Sequence, residues 1–255
     1  MARIIAVSNI KGGVAKTTST INLAAVLAIE YGLRILACDI DPQANLTMSL
    51  GVEPYDLQQT IYQVLLKPNL DARRAIVSTQ YAGLDLLPAN LDLAGADMEL
   101  KAARDTRLQR ALIPIQAEYD FILIDTPPSL GLFTQNALMA CSEIIVPVEP
   151  SYYALRAMYQ LQAMLTELIE PFNTDVGILG ILLTRYDART NLTAEVERQI
   201  RKEHGDLVFR TVIPANVKAA EAPATGEPVI CYARQSASAA AYRALASEVI
   251  ARGQR

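Results

Sequence analysis

The sequence predicts an α/β fold in which a mostly parallel, twisted β-sheet is covered by helices on both faces. Short apolar runs alternate with segments that carry apolar residues at helical spacing, from one end of the chain to the other. Several of these runs end in an aspartate or in a glycine-rich turn, which is typical of the carboxyl edge of a parallel sheet. The alternation contains no internal repeat and no low-complexity linker, so we expect a single domain over residues 1–255.

Composition limits the classes of protein that the chain can represent. Its 255 residues are 51% hydrophobic and 20% charged, which is enough apolar content for a substantial core. A net charge of −4 argues against a globally basic nucleic-acid binder but leaves room for a local basic patch. Cys38, Cys141 and Cys231 form no C-x-x-C pair, so we expect reduced thiols rather than a disulfide framework or a zinc site. Without a leader or an apolar run of about 18 residues, we expect a cytoplasmic protein with no membrane span.

The first predicted strand and the first predicted helix are joined by a glycine-rich loop. The strand covers residues 3–8, and apolar spacing predicts the helix over residues 17–30. Backbone N–H groups in such a turn converge on one point, and the helix N-terminus adds partial positive charge, so the loop suits a phosphate group. Lys16 would bind the β- and γ-phosphates of a nucleotide, and the Thr17 hydroxyl would ligate Mg²⁺. The predicted nucleotide-binding residues of this loop are Lys11, Gly12, Gly13, Val14, Ala15, Lys16, Thr17 and Thr18.

The loop does not match the strict pattern G-x-x-x-x-G-K-[ST], because Ile10 and Ala15 occupy its two glycine positions. A left-handed conformation would cost an alanine about 1–2 kcal/mol. We therefore predict that Ala15 is right-handed and already enters the helix. The alternative interpretation of the loop is a plain glycine-rich turn with two solvated lysines.

Two further strands end in aspartates that we expect at the same edge of the sheet. Residues 34–39 form the first strand, which leads into D-I-D-P-Q. We predict that Asp41 faces the γ-phosphate and an attacking water, and an Asx turn ahead of the following proline is the alternative. Residues 119–125 form the clearest buried strand, and Asp125 at its end would orient Mg²⁺ or its water. The predicted metal site therefore comprises Thr17, Asp41 and Asp125.

The remaining elements follow the same alternation. Residues 51–80 carry no recognisable chemistry, and we interpret them as a variable surface or a partner-binding insertion. Further strands are predicted over residues 84–88, 143–148 and 177–184. Further helices are predicted over residues 60–66, 97–118 with an interruption near Pro114, 137–140, 152–170, 193–204 and 236–251.

The loop resembles the deviant Walker A motif of the ParA/MinD group of P-loop ATPases, K-G-G-x-G-K-[ST]-[ST]. This resemblance implies the fold of a P-loop NTPase and the cofactors ATP and Mg²⁺. It also implies that Lys11 reaches across an ATP-dependent homodimer to the phosphates bound by the other subunit. D-I-D-P-Q resembles the family's switch I, whose second aspartate is required for hydrolysis, and D-T-P-P resembles its switch II. The predicted catalytic residues are Lys11, Lys16 and Asp41.

The stretch from residue 184 to residue 232 resembles the chromosome- and plasmid-partition branch of that group, ParA/Soj, through Y-D-A-R-T-N and E-A-P-A-T-G-E-P-V. Members of this branch bind DNA without sequence preference when they dimerise on ATP, through basic residues at positions matching Arg189 and Lys218. A ParB-like protein is the partner that the resemblance implies. The candidate DNA-binding residues are Arg185, Arg189, Arg201, Lys202 and Lys218.

Other positions qualify or extend the resemblance. Ala215 stands where the family usually has another arginine, and a solvated helix face is the alternative interpretation of the basic residues. By resemblance, Pro214 and Asn216 would lie near the adenine. The last helix carries small residues where MinD-like members have a membrane anchor, so we expect no membrane binding.

Together these observations predict an ATPase that dimerises on ATP, binds non-specific DNA in that state and drives chromosome or plasmid partition. Hydrolysis should be slow and partner-stimulated, since the chemistry consists of positioning and charge neutralisation. A nucleoid-associated location would follow from the DNA binding. The alternative is a positioning ATPase of the same fold that moves a protein cargo with weak or no DNA binding. A third possibility, a metabolic or reductase relative with an iron–sulfur cluster, would need paired cysteine ligands, and the spacing of the cysteines offers none.

Overall fold

A central β-sheet organises the molecule. The computed structural model describes residues 1–100, 104–151 and 176–253, together with positions 159, 160, 163 and 166. The strands in this part of the chain are β1 (Arg3–Val7), β2 (Ile35–Asp39), β3 (Val77–Ser78), β4 (Leu84–Leu87), β5 (Phe121–Asp125), β6 (Glu143–Val148), β7 (Gly177–Tyr186) and β8 (Val208–Pro214).

The sheet is mostly parallel, as the sequence predicts. Its strands lie in the order β3-β4-β2-β5-β1-β6-β7-β8, and β3 with β4 is the antiparallel pair. In the register of the parallel pairs, Val7 on β1 and Asp39 on β2 both lie opposite Asp125 on β5. This register brings the segments that follow β1, β2 and β5 to one carboxyl edge of the sheet.

Helices cover both faces of the sheet, which confirms the predicted fold class. The described helices are α1 (Lys16–Ile29), α2 (Asn45–Ser49), α3 (Ile61–Leu66), α4 (Ala96–Glu99), α5 (Arg107–Leu112), α6 (Leu132–Ala140), α7 (Asn191–His204), α8 (Val217–Glu221), α9 (Val229–Tyr232) and α10 (Ala237–Arg252). Along β5, Ile122 and Ile124 belong to a hydrophobic cluster with α3, α5 and α6, whereas Leu123 belongs to a cluster with α1 and α10. Alternate side chains of a strand point to opposite faces, so these two clusters form two layers.

Several helices begin at a side-chain cap, but α1 does not. Thr60 and Gln63 form a capping box at the start of α3, and Ser236 accepts a hydrogen bond from the Ala239 N–H at the start of α10. At α1 no side chain caps the helix. The N–H groups of its first turn have no acceptor within the helix, so they are available to an external anion.

The helix predicted over residues 97–118 is not continuous, although parts of it are helical and α5 ends at Leu112, close to the interruption predicted near Pro114. The structure has α4, which ends at Glu99, and α5, which begins at Arg107. Asn136 on α6 explains the break, because its side chain accepts from the Leu108 N–H at 3.1 Å and donates to the Arg104 carbonyl at 2.7 Å. This distant side chain replaces helical hydrogen bonds that a continuous helix would make.

Other differences from the predicted elements are small. The strands β3 and β8 had no counterpart among the predicted elements. The predicted helix over residues 152–170 falls outside the described residues, apart from four isolated positions. No described helix combines the length and the apolar character that a membrane span requires.

Candidate active site

The loop between β1 and α1 has an unusual backbone. Gly13 has φ +73°, and Ala15, the residue before α1, has φ 63° and ψ 35°. Ala15 is therefore left-handed, and the prediction that it is right-handed is wrong. Gly13 and Ala15 are both left-handed, with one residue between them, and they make the backbone bend tightly. Such a bend is typical of loops whose N–H groups bind an anion.

Contacts from the neighbouring strands hold the loop in this conformation. Val14 is buried, and its carbonyl accepts a hydrogen bond from the Thr184 hydroxyl of β7 at 2.9 Å. The buried Asn9 side chain accepts from the Lys11 N–H at 3.0 Å and donates to the Pro147 carbonyl of β6 at 2.7 Å. These hydrogen bonds outweigh the steric cost of a left-handed alanine, which is about 1–2 kcal/mol. The right-handed conformation was predicted for Ala15 because of that cost.

Asp125 is brought to the first turn of α1 by the register of the sheet. Its carboxylate is fully buried and accepts hydrogen bonds from the Thr17 hydroxyl at 2.6 Å and from the Thr20 hydroxyl at 3.3 Å. The pKa of Asp125 is raised well above its usual range, mainly by burial and secondly by the charge of the nearby Asp39. The hydrogen bond from Thr17 opposes this shift. Two of the predicted metal ligands, Thr17 and Asp125, are therefore in direct contact.

Lys16 points back over the loop. It is buried, and its Nζ donates to the Lys11 carbonyl at 3.1 Å. Burial lowers the pKa of the Lys16 ammonium, while the carboxylates of Asp125 and Asp41 act in the opposite direction. An ammonium in this position can interact strongly with an anion, because little water surrounds it.

Asp39, the last residue of β2, and Asp41, which follows the strand, have different surroundings. Asp41 is largely buried, and its Oδ1 accepts from the Gln43 N–H at 2.9 Å, which is an Asx turn. Asp39 is fully buried and accepts from the N–H and the hydroxyl of Thr47, at 2.9 and 2.8 Å, and from the Asp41 N–H at 3.1 Å. Burial raises the pKa of Asp39 to about 6. Asp39 thus fixes the backbone that carries Asp41, a role that the sequence analysis did not identify.

A pocket of about 360 Å³ opens between these segments, and this volume is within the range of small-molecule sites. It contains predicted residues of the loop, Asp41 and, unexpectedly, Arg185, which the sequence analysis assigned to DNA. Pro214 and Asn216 lie outside the lining. The lining residues are Gly12, Gly13, Ala15, Lys16, Thr17, Thr18, Ile21, Asp41, Asn45, Ser49, Pro128, Arg185 and Pro223.

A larger cavity, of about 850 Å³, lies at the opposite edge of the sheet, beside the amino ends of β6, β7 and β8. Two of its arginines stabilise the fold. Arg201 donates to Glu197 and to the Phe209 carbonyl, and Arg252 donates to three backbone carbonyls and to Glu248. We therefore place the candidate active site at the smaller pocket.

The groups at this pocket fit a nucleoside triphosphate with Mg²⁺. The uncapped first turn of α1 and Lys16 are donors for phosphate oxygens, and Thr17 and Asp125 are hard oxygen ligands. Among the described residues, no group of three or more histidine, cysteine, aspartate or glutamate side chains is arranged to hold a metal ion by itself.

Residues 2–178 match the family described as AAA domain. The sporulation initiation inhibitor protein Soj of Bacillus subtilis is 46% identical over 255 residues, which cover 99% of this chain and 100% of Soj. The chromosome partitioning protein ParA of Caulobacter vibrioides is 41% identical, over 98% of this chain and 94% of that protein. This chain belongs to the ParA/Soj-type ATPases.

A solved structure supports the predicted fold. The cobyrinic acid a,c-diamide synthase of Mycobacterium smegmatis, with bound ATP analogue and magnesium, has a TM-score of 0.86 and 35% identity to this chain. The match covers 100% of this chain and 96% of that one. The P-loop NTPase fold that the sequence predicts is thereby confirmed.

The lysine that is characteristic of the ParA/MinD group, Lys11, is engaged within its own chain. Its Nζ donates to Glu149 Oε2 and to Ser151 Oγ, both at 3.1 Å. Glu149 follows β6 directly, just as Asp125 ends β5. Glu149 is not among the residues predicted from the sequence, although the rule that places the aspartates at the carboxyl edge applies to it as well.

The other candidate DNA-binding residues of this ParA/Soj-type chain lie apart from the pocket. We call Arg189, Arg201, Lys202 and Lys218 the C-terminal basic surface. Arg189 pairs with Asp187, and Lys218 pairs with Glu221, both at 2.8 Å. Arg201 is partly buried by the contacts described above, whereas Lys202 is exposed. Asn216 caps α8 by accepting from the Lys218 N–H at 2.8 Å.

Proposed function

We propose that this protein hydrolyses ATP with Mg²⁺ at the pocket between β1, β2, β5 and α1, and that ATP binding drives formation of a homodimer. In that state the protein binds duplex DNA without sequence preference and acts in chromosome or plasmid partition, in the cytoplasm and on the nucleoid. The observation that carries the proposal is the contact between Thr17 and Asp125 beside the uncapped start of α1. The similarity to Soj and to ParA supports the partition role.

Each residue of the site has a defined role in this proposal. Gly12 and Gly13 allow the backbone to approach the phosphates, and Lys16 binds the β- and γ-phosphates. Thr17 and Asp125 hold the metal and its water shell. Magnesium, when bound, offsets the negative charge of the phosphate oxygens. Asp41 positions the attacking water.

Hydrolysis by the protein alone should be slow. Asp41 is the residue assigned to the water, and its Oδ1 already accepts a hydrogen bond from a backbone N–H. Lys11 is assigned to the nucleotide of the other subunit, and it is paired with Glu149 in its own chain. A ParB-like partner would act by stabilising the arrangement in which both side chains face the nucleotide.

Filter binding of non-specific duplex DNA tests the proposal. The protein is mixed with labelled DNA in the presence of ATP, ADP or no nucleotide, over a series of salt concentrations. We expect retention with ATP that falls steeply with salt, because a dimer doubles the number of phosphate contacts. Absence of ATP-dependent retention at low salt would contradict the DNA-binding part of the proposal.

Dimerisation is tested separately with Lys11→Ala. This substitution should preserve ATP binding and abolish the ATP-dependent doubling of mass in light scattering. Lys67→Ala, at an exposed position, is the control. A Lys11→Ala protein that still dimerises on ATP would rule out the role across the subunit interface.

One observation favours a second candidate, a positioning ATPase for a protein cargo with weak or no DNA binding. Two residues of the C-terminal basic surface, Arg189 and Lys218, are already paired with acidic neighbours. The same DNA experiment separates the candidates, because a cargo-positioning ATPase would dimerise on ATP without retaining DNA.

A further inference from the structure

The backbone of the described chain is left-handed at three residues other than glycine: Ala15, Ala44 and Arg185. Such a conformation is unfavourable for L residues, and it persists where surrounding contacts enforce it, often at functional sites. Ala15 belongs to the glycine-rich loop, and Ala44 precedes α2, three residues after Asp41. Arg185 is the third residue of this kind, and the proposed function assigns it no role at the pocket.

The residues on either side explain how Arg185 is held. The Thr184 hydroxyl donates to the Val14 carbonyl at 2.9 Å, and the Tyr186 carbonyl accepts from the Ala215 N–H at 3.0 Å. The register between β7 and β8 shifts between Leu183 and Tyr186. Irregularities of this kind next to active sites redirect a side chain, and here Arg185 is among the residues that line the pocket.

Arg185 shares an acidic partner with Lys11. Its Nε lies 3.6 Å from Glu149 Oε1, and the other carboxylate oxygen of Glu149 accepts from Lys11 Nζ at 3.1 Å. All three side chains are partly exposed, so both ion pairs can exchange partners readily. Glu149 therefore acts as the common counter-ion of two cations beside the glycine-rich loop.

The charges around the pocket indicate what could replace Glu149. Two carboxyl groups, those of Asp41 and Asp125, act on one buried ammonium, that of Lys16, and a third, that of Asp39, lies near Asp125. A nucleoside triphosphate adds further negative charge, and its magnesium ion offsets only part of it. The guanidinium of an arginine is well suited to phosphate oxygens, because its N–H groups form a planar fork.

We propose that Arg185 is a further nucleotide-binding residue, which exchanges its ion pair with Glu149 for the phosphates of the bound nucleotide. Glu149 then competes with the nucleotide of its own subunit for Arg185, and with the nucleotide of the other subunit for Lys11. This inference rests on the proposed function, since it requires that the pocket binds ATP. It reassigns Arg185 from the DNA surface, where the sequence analysis placed it, to the ATP site.

Equilibrium titration with a fluorescent ATP analogue and Mg²⁺ tests the inference. Arg185→Asn removes the charge with a residue that tolerates the left-handed backbone, so it should weaken binding by roughly 10-fold or more. Arg185→Lys retains the charge and should fall between this variant and the wild type. Arg198→Gln, on an exposed part of α7, is the control and should bind like the wild type.

Glu149→Gln distinguishes the inference from a loss of folding, because it should change affinity in the opposite direction. Removal of the competing carboxylate should tighten binding several-fold, and Arg185→Asn in the same chain should cancel part of that gain. Weaker binding by Glu149→Gln, or equal binding by Arg185→Asn and the wild type, would overturn the inference.

Two further outcomes separate this inference from the proposed function. A wild-type protein that does not bind the analogue would refute the proposed function, and the inference with it. If Arg185→Asn binds the analogue normally but loses ATP-dependent DNA retention, the arginine belongs to the DNA surface. That result would overturn only the inference.

Discussion

At the carboxyl edge of the sheet, Asp125 and Lys11 are held by residues distant in sequence, whereas Arg189 and Lys218 on the C-terminal basic surface are held by near neighbours. Asp125 is fully buried and accepts a hydrogen bond from Thr17, 108 positions away. The Arg189 side chain is 88% exposed and pairs with Asp187, two positions away. Water and salt screen the second kind of pair, which therefore contributes little to stability.

The contrast indicates how each region would work. At the carboxyl edge, function depends on geometry, because buried groups such as Asp125 are fixed by several partners. On the basic surface, function depends on the number of charges, because exposed cations such as Arg189 and Lys202 can rearrange to meet phosphates. Substitutions should therefore have large, specific effects at the edge and small, additive effects on the surface.

The largest effect is expected from Asp41→Ala. Loss of the residue that positions water should lower ATP turnover by about 100-fold or more, and the ATP-bound dimer should accumulate. Phosphate release gives the turnover, and light scattering gives the mass. Asp56→Ala, at an exposed aspartate, is the control. Unchanged turnover in Asp41→Ala would mean that another group positions the water. ATP hydrolysis would then not depend on the position of Asp41 at the carboxyl edge.

The second effect concerns the buried Asp39 and the pH dependence of stability. Its pKa rises from 3.8 to about 6 on folding, because the carboxyl group is buried. The unfolded chain thus loses this proton at a lower pH than the folded chain does. The stability contributed by this group is therefore present below about pH 4 and is lost as the pH rises to about 6.

Asp39→Asn removes this titration. The unfolding free energy of the variant minus that of the wild type should increase between pH 4 and pH 6, by at most about 2–3 kcal/mol. Urea unfolding at several pH values measures the difference, with the exposed Asp56→Asn as control. A difference that does not change over this range would show that Asp39 titrates as it does in the unfolded chain.

A smaller effect is expected on the basic surface. We expect ATP-dependent DNA binding to weaken a few-fold in Arg189→Ala and in Lys218→Ala. In each variant, the slope of the logarithm of the DNA-binding constant against the logarithm of the salt concentration should fall in magnitude by about 1 per subunit. Asp187→Asn should strengthen binding, because it frees Arg189 from its partner. ATP turnover without DNA should not change in any of the three. A single alanine that abolishes DNA binding would contradict the additive behaviour of this surface.

The smallest effect is expected from Ala15→Gly. Glycine adopts the left-handed conformation without the steric cost of a Cβ atom, but it also gives the unfolded chain more freedom. The two terms nearly cancel, so stability to urea should rise by about 0–1 kcal/mol and nucleotide affinity should be nearly unchanged. Destabilisation by more than about 1 kcal/mol would mean that the alanine methyl group makes a contact that stabilises the loop.

Much of the fold could be predicted from the sequence, because strands and their ends have local signals. The apolar runs that form β2 and β5 end in Asp39 and Asp125, and the glycine-rich loop stands between a strand and a helix. Parallel strands place such ends at one edge. The candidate site, with Lys16, Thr17, Asp41 and Asp125 around one pocket or its wall, follows from this rule and from the resemblance to the ParA/MinD group.

Tertiary structure alone decided the handedness of Ala15, the start of α5, the partner of Lys11 and the position of Arg185. The deciding contacts come from distant segments. The side chains of Thr184, Asn136 and Glu149 provide them for Ala15, α5 and Lys11. For Arg185 it is the Val14 carbonyl, which accepts from the adjacent Thr184. A local preference of about 1–2 kcal/mol is outweighed when several such contacts act together. Sequence patterns report local preferences and periodicity, and they cannot report which distant atoms meet, because that depends on how all the elements pack.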